Sequence, residues 1–378
     1  MHSNPLSLRR GLGRGFLLFF ALLAIIGCDV HEWPHQEETV PLLLELEFTT
    51  TWDEQDHYYT RGTRGTKGIV TRGETRSGIE SRALGEYDMR YIIDAYPLSE
   101  NGEVSKVAAA RFTYSKAVIT DYDYRTEMVQ LPAGRYRLMA WADFVVPGTT
   151  DHLHYDPTDF GGIIFHGTYT ANTDYRDAFR GWQDVELESD INEQETRTVT
   201  IPMERPMAKY TFVSNDLKEF IEKEETRNRN NRNNRSATDT KDADTKDADT
   251  KSVDLNDYRV LFIYSGYLPN KYSLFSDRIN GVTETEHIRY ESKLTQLNDE
   301  EASMGFDYVV VNSGDASIEV TVGLFDAEGN QISMSDPIIV PLNRSYNTIM
   351  RGSFMMMEAD GGVGIDPSFD GDYYYPIP

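Results

Sequence analysis

Short runs of alternating apolar and polar residues recur along most of this 378-residue chain. The first run, Pro41–Phe48, places four apolar residues on one face of an extended backbone, namely Leu42, Leu44, Leu46 and Phe48. This period of two is typical of a half-buried β-strand. Further strand-like runs are Tyr87–Pro97, Ala108–Thr120, Thr126–Leu131, Arg135–Phe144, Gly162–Tyr169, Trp182–Leu187, Thr196–Met203, Arg205–Val213, Tyr258–Tyr264, Gly305–Asn312, Ser317–Asp326, Gln331–Val340 and Tyr346–Phe354. Many short strands separated by turn residues predict an all-β chain of the sandwich type.

The length allows two domains of roughly 150 residues each. We predict an N-terminal β-sandwich over residues 40–204 and a C-terminal one over residues 205–355, followed by an extended tail at 356–378. One short helix is expected at Asp216–Glu225 in the second domain, where Leu217, Phe220 and Ile221 share a face. Residues 226–252 combine an Arg/Asn tract with tandem Asp-Thr-Lys-Asp-Ala repeats, and this composition predicts a disordered insert.

A turn and strand at Leu131–Tyr136 resemble those of transthyretin-like sandwiches. Pro132 presets the backbone and Gly134 supplies the turn, after which apolar residues alternate into Trp141. We therefore expect two tandem transthyretin-like Greek-key β-sandwiches, with Trp141 in the first core.

The N-terminus has the features of a bacterial lipoprotein signal. Three arginines precede an apolar run, Gly15–Ile26, which is shorter than the ~20 residues that cross a bilayer. The run ends at Gly27 and Cys28, and Cys28 is the only cysteine of the chain. This ending resembles a lipobox, so we predict that a signal peptide of residues 1–27 is cleaved between Gly27 and Cys28. Acyl chains such as palmitate on Cys28 then anchor the protein to the outer membrane.

The net negative charge of the chain limits the classes of molecule that it can bind. The chain carries a net charge of −25, and residues 28–39 form an acidic tether after the lipid-bearing cysteine. Nucleic acid is excluded as a partner, because binding its phosphates needs a basic surface. An acidic stretch at this place resembles the surface-export signal of Bacteroidales lipoproteins, so we expect exposure at the cell surface; a solvated tether is the alternative.

Residues 61–82 form a Gly- and Arg-rich segment without periodicity. Such a segment predicts an exposed loop, and exposed loops are preferred sites of proteolysis. Arg61, Arg64 and Arg72 are the candidate cleavage sites for an Arg-directed protease. A plain long hairpin connection is the other interpretation.

Three segments are candidates for a ligand site. His152 and His154, with Asp151 or Asp156, have a spacing that could hold a metal on a strand, although Pro and Gly nearby favour a polar loop. Four tail aspartates with interleaved glycines have calcium-type oxygen ligands without the EF-hand order, namely Asp360, Asp366, Asp370 and Asp372. We assign neither a metal nor a cofactor, and calcium in the tail remains the alternative.

The third segment, Asp174–Trp182, mixes charges with Tyr175, Phe179 and Trp182. The structural interpretation, a loop ordered by pairing of Arg176 with Asp177 and rings in the core, is favoured over a sugar-binding surface. The sequence has no nucleophile elbow, no zinc-protease motif and no phosphate-binding loop. We therefore expect no enzyme.

Several stretches together resemble a known group of proteins. They are Cys28–Pro34, Tyr87–Tyr96, Leu131–Tyr136, Trp141–Asp143, Asp174–Phe179, Arg205–Lys209 and Gly364–Pro367. The chain resembles an uncharacterised domain family of Bacteroidales lipoproteins, related in layout to the fimbrillins, which are the subunits of type V pili and their anchors.

This resemblance implies a mechanism. In fimbrillins an Arg-directed protease removes an N-terminal segment that includes a strand, and a strand of another subunit fills the groove by β-strand addition. Carried over to this chain, Leu42–Phe48 is the displaceable strand and other fimbrillin-like subunits are the partners. Retention of this strand points instead to an anchor or to a lipoprotein that is not part of a pilus. A surface lipoprotein that binds carbohydrate or another host or bacterial ligand, and never polymerises, is the alternative.

Overall fold

A computed structural model describes residues 39–59, 72–73, 86–117, 124–125, 128–188, 196–238, 253–284 and 288–357. Within these ranges the chain is mostly β, with one α-helix, α1 (Leu217–Thr238). The strands are β1 (Thr39–Phe48), β2 (Asp53–Tyr58), β3 (Arg72–Gly73), β4 (Asp88–Pro97), β5 (Ala110–Ala117), β6 (Tyr124–Arg125), β7 (Val129–Pro132), β8 (Gly134–Val145), β9 (Tyr155–Asp156), β10 (Ile163–Phe165), β11 (Ala178–Leu187), β12 (Arg197–Met203), β13 (Met207–Ser214), β14 (Arg259–Ser265), β15 (Tyr267–Ser273), β16 (Arg278–Glu284), β17 (Arg289–Lys293), β18 (Thr295–Gln296), β19 (Ala302–Val310), β20 (Ala316–Phe325), β21 (Gln331–Met334), β22 (Ile338–Leu342) and β23 (Tyr346–Gly352).

Two sheets of the N-terminal half enclose the first apolar core. One has the order β11-β8-β4-β5, and the other places β1 between β12 and the pair β6 and β7. Alternate residues of β1, β4, β8 and β12 point into this core, as the period of two predicts. Residues of both sheets therefore pack together in the first core.

The C-terminal half has a second core between two further sheets. Their orders are β18-β19-β13-β23-β2-β3 and β17-β14-β20-β21, with β22 also paired to β20. β20 and β21 form a hairpin, and Gly329 in its turn has φ +83°, a conformation that favours glycine. The run predicted as one strand at 331–340 is two strands, β21 and β22, which pair with different parts of β20.

A third core joins the two halves. It contains Trp52, Trp141 and Tyr155 from one half and Tyr272 and Tyr308 from the other. A small sheet of order β16-β15-β10-β9 also combines strands from both halves. Strands from both sides of residue 204 therefore share a core and a sheet, and the domain boundary at that residue stays a prediction.

The helix also differs from its prediction. α1 runs to Thr238 rather than ending at Glu225, so residues 226–238 of the expected disordered insert are helical. The prediction ended where the apolar face ends, whereas the helix continues through residues that have no apolar face. Residues 239–252 lie outside the described residues. No helix in the described part of the chain is long and apolar enough to cross a bilayer.

Candidate functional site

The first strand lies inside a sheet, with a neighbour on each side. β1 pairs in parallel with β12 over seven residues, from Leu42 opposite Arg197 to Phe48 opposite Met203. On its other edge it is antiparallel to β7 from Thr39 to Leu42 and to β6 at Glu45 and Leu46. Main-chain hydrogen bonds on both edges therefore hold this strand.

The apolar face of β1 is buried as its sequence predicts. Leu42 and Leu44 are fully buried and Leu46 is 1% exposed, whereas Glu47 on the opposite face is exposed. Phe48 is partly buried and its ring lies edge-on to that of Phe179, with centroids 5.0 Å apart. These four predicted residues share one face and anchor β1 in the first core.

A second strand follows after a link of four residues and lies in a different sheet. β2 is parallel to β23 over six residues, from Asp53 opposite Tyr346 to Tyr58 opposite Arg351. Arg351 donates from Nε to Asp56 at 2.8 Å and from NH1 to Glu301 at 2.6 Å, so one guanidinium ties β2 to β23 and to the start of β19. The sequence patterns do not predict this strand, because Asp53–Tyr58 is polar and lacks alternation.

Arg205 holds the connection between β1 and β2. Its NH1 donates to the carbonyl oxygens of Thr49 and Thr51, at 3.2 and 3.4 Å. Its Nε and NH2 donate to the Asp177 carboxylate at 2.7 to 2.9 Å, and both side chains are at most 2% exposed. The guanidinium also lies over the ring of Trp52, 4.2 Å from its centroid. Burial raises the pKa of Asp177, and the charge of Arg205 opposes this shift.

His57 is the buried titratable residue of β2. It is 8% exposed, and neither ring nitrogen has a hydrogen-bond partner. Burial lowers its pKa from the ordinary 6.5, and the nearby charge of Asp56 opposes this in part. A neutral imidazole is therefore the form that suits this place.

Residues 39–58 thus form one segment with two strands, each inserted into a different sheet. We call it the N-terminal segment. Its hydrogen bonds to the sheets are made by the main chain, which any other strand of matching side-chain pattern can reproduce.

The structure describes only one of the predicted processing sites, Arg72. Arg72 lies in β3, which is antiparallel to β2 and places Arg72 opposite Gln55. Arg61, Arg64, Gly27 and Cys28 lie outside the described residues, as do the four tail aspartates.

The structure separates the two candidate metal-binding histidines. His152 has its Nε2 3.2 Å from Asp156 and its Nδ1 2.9 Å from NH1 of Arg90. His154 instead faces Thr170, and burial lowers its pKa to about 4. No group of three potential metal ligands occurs among the described residues.

Asp174–Trp182 is mainly structural, but not through the pair that we predicted. Asp177 pairs with Arg205, whereas Arg176 lies 3.7 Å from Asp307 and over the ring of Tyr169. Adjacent residues at the end of a 3₁₀ turn point in different directions, so each reaches a different partner. Phe179 is fully buried, as is Trp141, as expected, while Trp182 is 37% exposed.

Several solved structures resemble this chain, at low sequence identity and low TM-score. The fimbrial anchor protein Mfa2 from Porphyromonas gingivalis is 10% identical over 78% of this chain and 82% of its own, with a TM-score of 0.33. A proposed adhesin from Bacteroides thetaiotaomicron is 9% identical over 79% and 80%, with a TM-score of 0.37. A proposed polysaccharide-binding protein from the same species is 15% identical over 78% and 79%, with a TM-score of 0.33.

No curated protein matches this chain in sequence. A family model does match, and it covers residues 38–378, which include every residue that the structure describes. The match begins one residue before β1, so both strands of the N-terminal segment lie within it. The chain belongs to the family of unknown function DUF6562.

Proposed function

We propose that this chain is a lipid-anchored surface protein of the outer membrane that assembles with fimbrillin-like subunits by β-strand addition. The observation that carries the proposal is the position of β1 between β12 and β7. The proposal assigns no catalytic role to any residue.

The place of β1 suits an incoming strand. Its departure leaves β12 and β7 with free hydrogen-bonding edges on both sides of an apolar groove. A donor strand then gains two rows of main-chain hydrogen bonds, and its alternate side chains fill the sites of Leu42, Leu44 and Leu46. A groove flanked on both sides binds more tightly than a single sheet edge, because the donor pairs twice.

The exchanging unit in this proposal is the whole N-terminal segment. Cleavage after Arg61, Arg64 or Arg72 separates β1 and β2 together from the rest of the chain. The donor therefore has to replace β2 beside β23 as well as β1 beside β12. The donor therefore needs about 20 residues. One half, which replaces β1, alternates apolar and polar residues, and the other half, which replaces β2, is polar.

Attachment is proposed to be through acyl chains on Cys28, which stands 11 residues before β1. Cleavage in the loop then separates the lipid from the body of the protein and releases the body into a polymer. A chain that keeps its N-terminal segment stays on the membrane and works as an anchor.

Digestion of purified full-length chain with an Arg-specific protease tests the proposal. We expect cleavage within residues 61–82, detected by N-terminal sequencing, followed by a ladder of multimers on native gels. The test variant carries lysine in place of all five arginines of the loop, namely Arg61, Arg64, Arg72, Arg76 and Arg82.

The matched control carries lysine at Arg278 and Arg289, which are exposed on strands outside the loop. The loop variant is expected to stay monomeric, and the control to form multimers. A cleaved chain that remains an inert monomer contradicts assembly and favours the alternative, a surface lipoprotein that binds a ligand without polymerising.

A further inference from the structure

Helix α1 has two parts of different character. Its first nine residues pack on the second core: Leu217 and Phe220 are fully buried, and Glu224 is 5% exposed and accepts a hydrogen bond from Tyr258. From Thr226 to Asn230 every residue is exposed. The helix therefore leaves the body of the protein after Glu225.

We call residues 226–238 the helical arm. At 1.5 Å per residue its 13 residues extend about 20 Å. The arm has four arginines, five asparagines and no acidic residue, and alanine is its largest apolar side chain. Its charge is opposite to that of the whole chain, which is −25.

The helical form of the arm has little internal support. Asparagine is a poor helix former, and Arg229, Arg232 and Arg235 recur every three positions, where like charges on a helix repel. Among the arm residues whose side chains the structure describes, Arg227 has an acidic side chain nearby, because its NH1 lies 3.5 Å from Glu224. An anionic partner offsets the repulsion between arginines that stand three positions apart.

We propose that the helical arm binds an acidic polysaccharide. Guanidinium groups pair with carboxylate or phosphate through two parallel hydrogen bonds. Asparagine amides both donate to and accept from hydroxyl groups. A polymer that carries anionic groups and many hydroxyls matches a helix of alternating arginine and asparagine.

The composition disfavours two other polyanionic surfaces. The arm has no aromatic residue, and single-stranded nucleic acid is bound largely by stacking of bases on aromatic rings. It also has no apolar face, which a helix needs to lie in a membrane interface. The inference does not rest on strand addition, because the arm lies on a different element from the N-terminal segment.

Binding to polygalacturonate measured by calorimetry on the full-length chain tests the inference. The variant R229Q/R232Q removes two positive charges from the arm, and K218Q/K223Q removes two from the packed part of the same helix. We expect R229Q/R232Q to weaken binding about tenfold and to reduce the slope of log K against log salt by roughly two. The lysine variant is expected to change the affinity less than about twofold, because its charges lie outside the arm.

Further measurements distinguish between classes of ligand. Neutral dextran is expected not to bind, and R229K/R232K is expected to bind polygalacturonate more weakly than the unmodified chain, because lysine cannot form the paired hydrogen bonds. An equal loss in the two charge-removing variants, or no binding by the unmodified chain, overturns the inference. Tighter binding to single-stranded DNA or to phosphatidylglycerol vesicles than to polygalacturonate, at equal anion concentration, overturns the assignment to a polysaccharide.

Discussion

Arg205 and Asp177 form a buried ion pair beside the link between β1 and β2, with NH2 of Arg205 2.7 Å from the carboxylate. The remaining donor group of Arg205 bonds the link itself at Thr49 and Thr51. This arginine follows β12 in sequence, and Asp177 directly precedes β11. The pair therefore connects the N-terminal segment to the body of the protein.

Replacing Arg205 tests this connection. Arg205→Met removes the charge at similar length and leaves Asp177 buried without its partner, so we expect a loss of about 3–5 kcal/mol in the free energy of unfolding. The control is Arg137→Met, which breaks the exposed pair with Asp184 and costs less than about 1 kcal/mol. Urea denaturation measures both, and similar losses contradict the role of Arg205.

The first strand supplies a second prediction. Leu44→Ala empties a fully buried position in the first core, and we expect a loss of about 2–5 kcal/mol in unfolding free energy. Leu43→Ala, one residue earlier on the half-exposed face, removes the same atoms at a much smaller cost. Thermal or urea unfolding compares the two variants, and equal costs are incompatible with the register of β1.

Loss of the Arg351 contacts is expected to loosen β2 alone. Arg351→Gln removes the ion pairs with Asp56 and Glu301, so amide hydrogens of Asp53–Tyr58 should exchange faster with solvent. Amides of Thr39–Phe48 lie in another sheet and should keep their rates. Arg259→Gln, which breaks a more exposed pair with Glu291, serves as the control and should leave both strands unchanged.

Acidification is expected to lower the stability of the folded chain through His57 in β2. The folded chain keeps His57 neutral because its pKa is lowered, whereas in the unfolded chain His57 gains a proton near pH 6.5. Stability is therefore greatest above pH 6.5 and falls as the pH decreases from 6.5 toward the lowered pKa. His57→Leu removes this contribution, so the stability of the variant should depend less steeply on pH in that window.

The stability of the His57→Leu variant should still decrease on acidification, because His154 contributes a pH dependence of the same sign. The pKa of His154 is lowered to about 4 by burial, and the leucine variant retains it. Denaturation curves at several pH values compare the chain with its variant. An unchanged slope in His57→Leu is the result that contradicts a neutral, buried His57.

The first strand could be predicted from sequence and the second could not. Leu42, Leu44 and Leu46 alternate with less buried residues, so the local sequence of β1 is enough to predict that one face of the strand is buried. In β2 only His57 is buried, and its pairing partner Met350 is almost 300 residues away. Long-range parallel pairing of a polar strand leaves no local signal.

The buried charges were also only partly predictable. The stretch around Arg176 and Asp177 indicated an ordered, paired segment, and both residues are paired. Their partners, Asp307 and Arg205, are set by the packing of strands distant in sequence. The end of α1 was missed for a different reason, since the apolar periodicity stops where the helix leaves the body.

Uptake of a synthetic peptide of residues 39–58 by protein cut within residues 61–82 tests strand exchange most directly. Native mass spectrometry with an isotope-labelled peptide measures the exchange, and uncut protein is the control. We predict that cut protein exchanges its own segment for the labelled peptide, while uncut protein takes up none. Cut protein that takes up no peptide, or a peptide with Leu42, Leu44 and Leu46 replaced by Asp that is taken up equally well, contradicts strand exchange at β1.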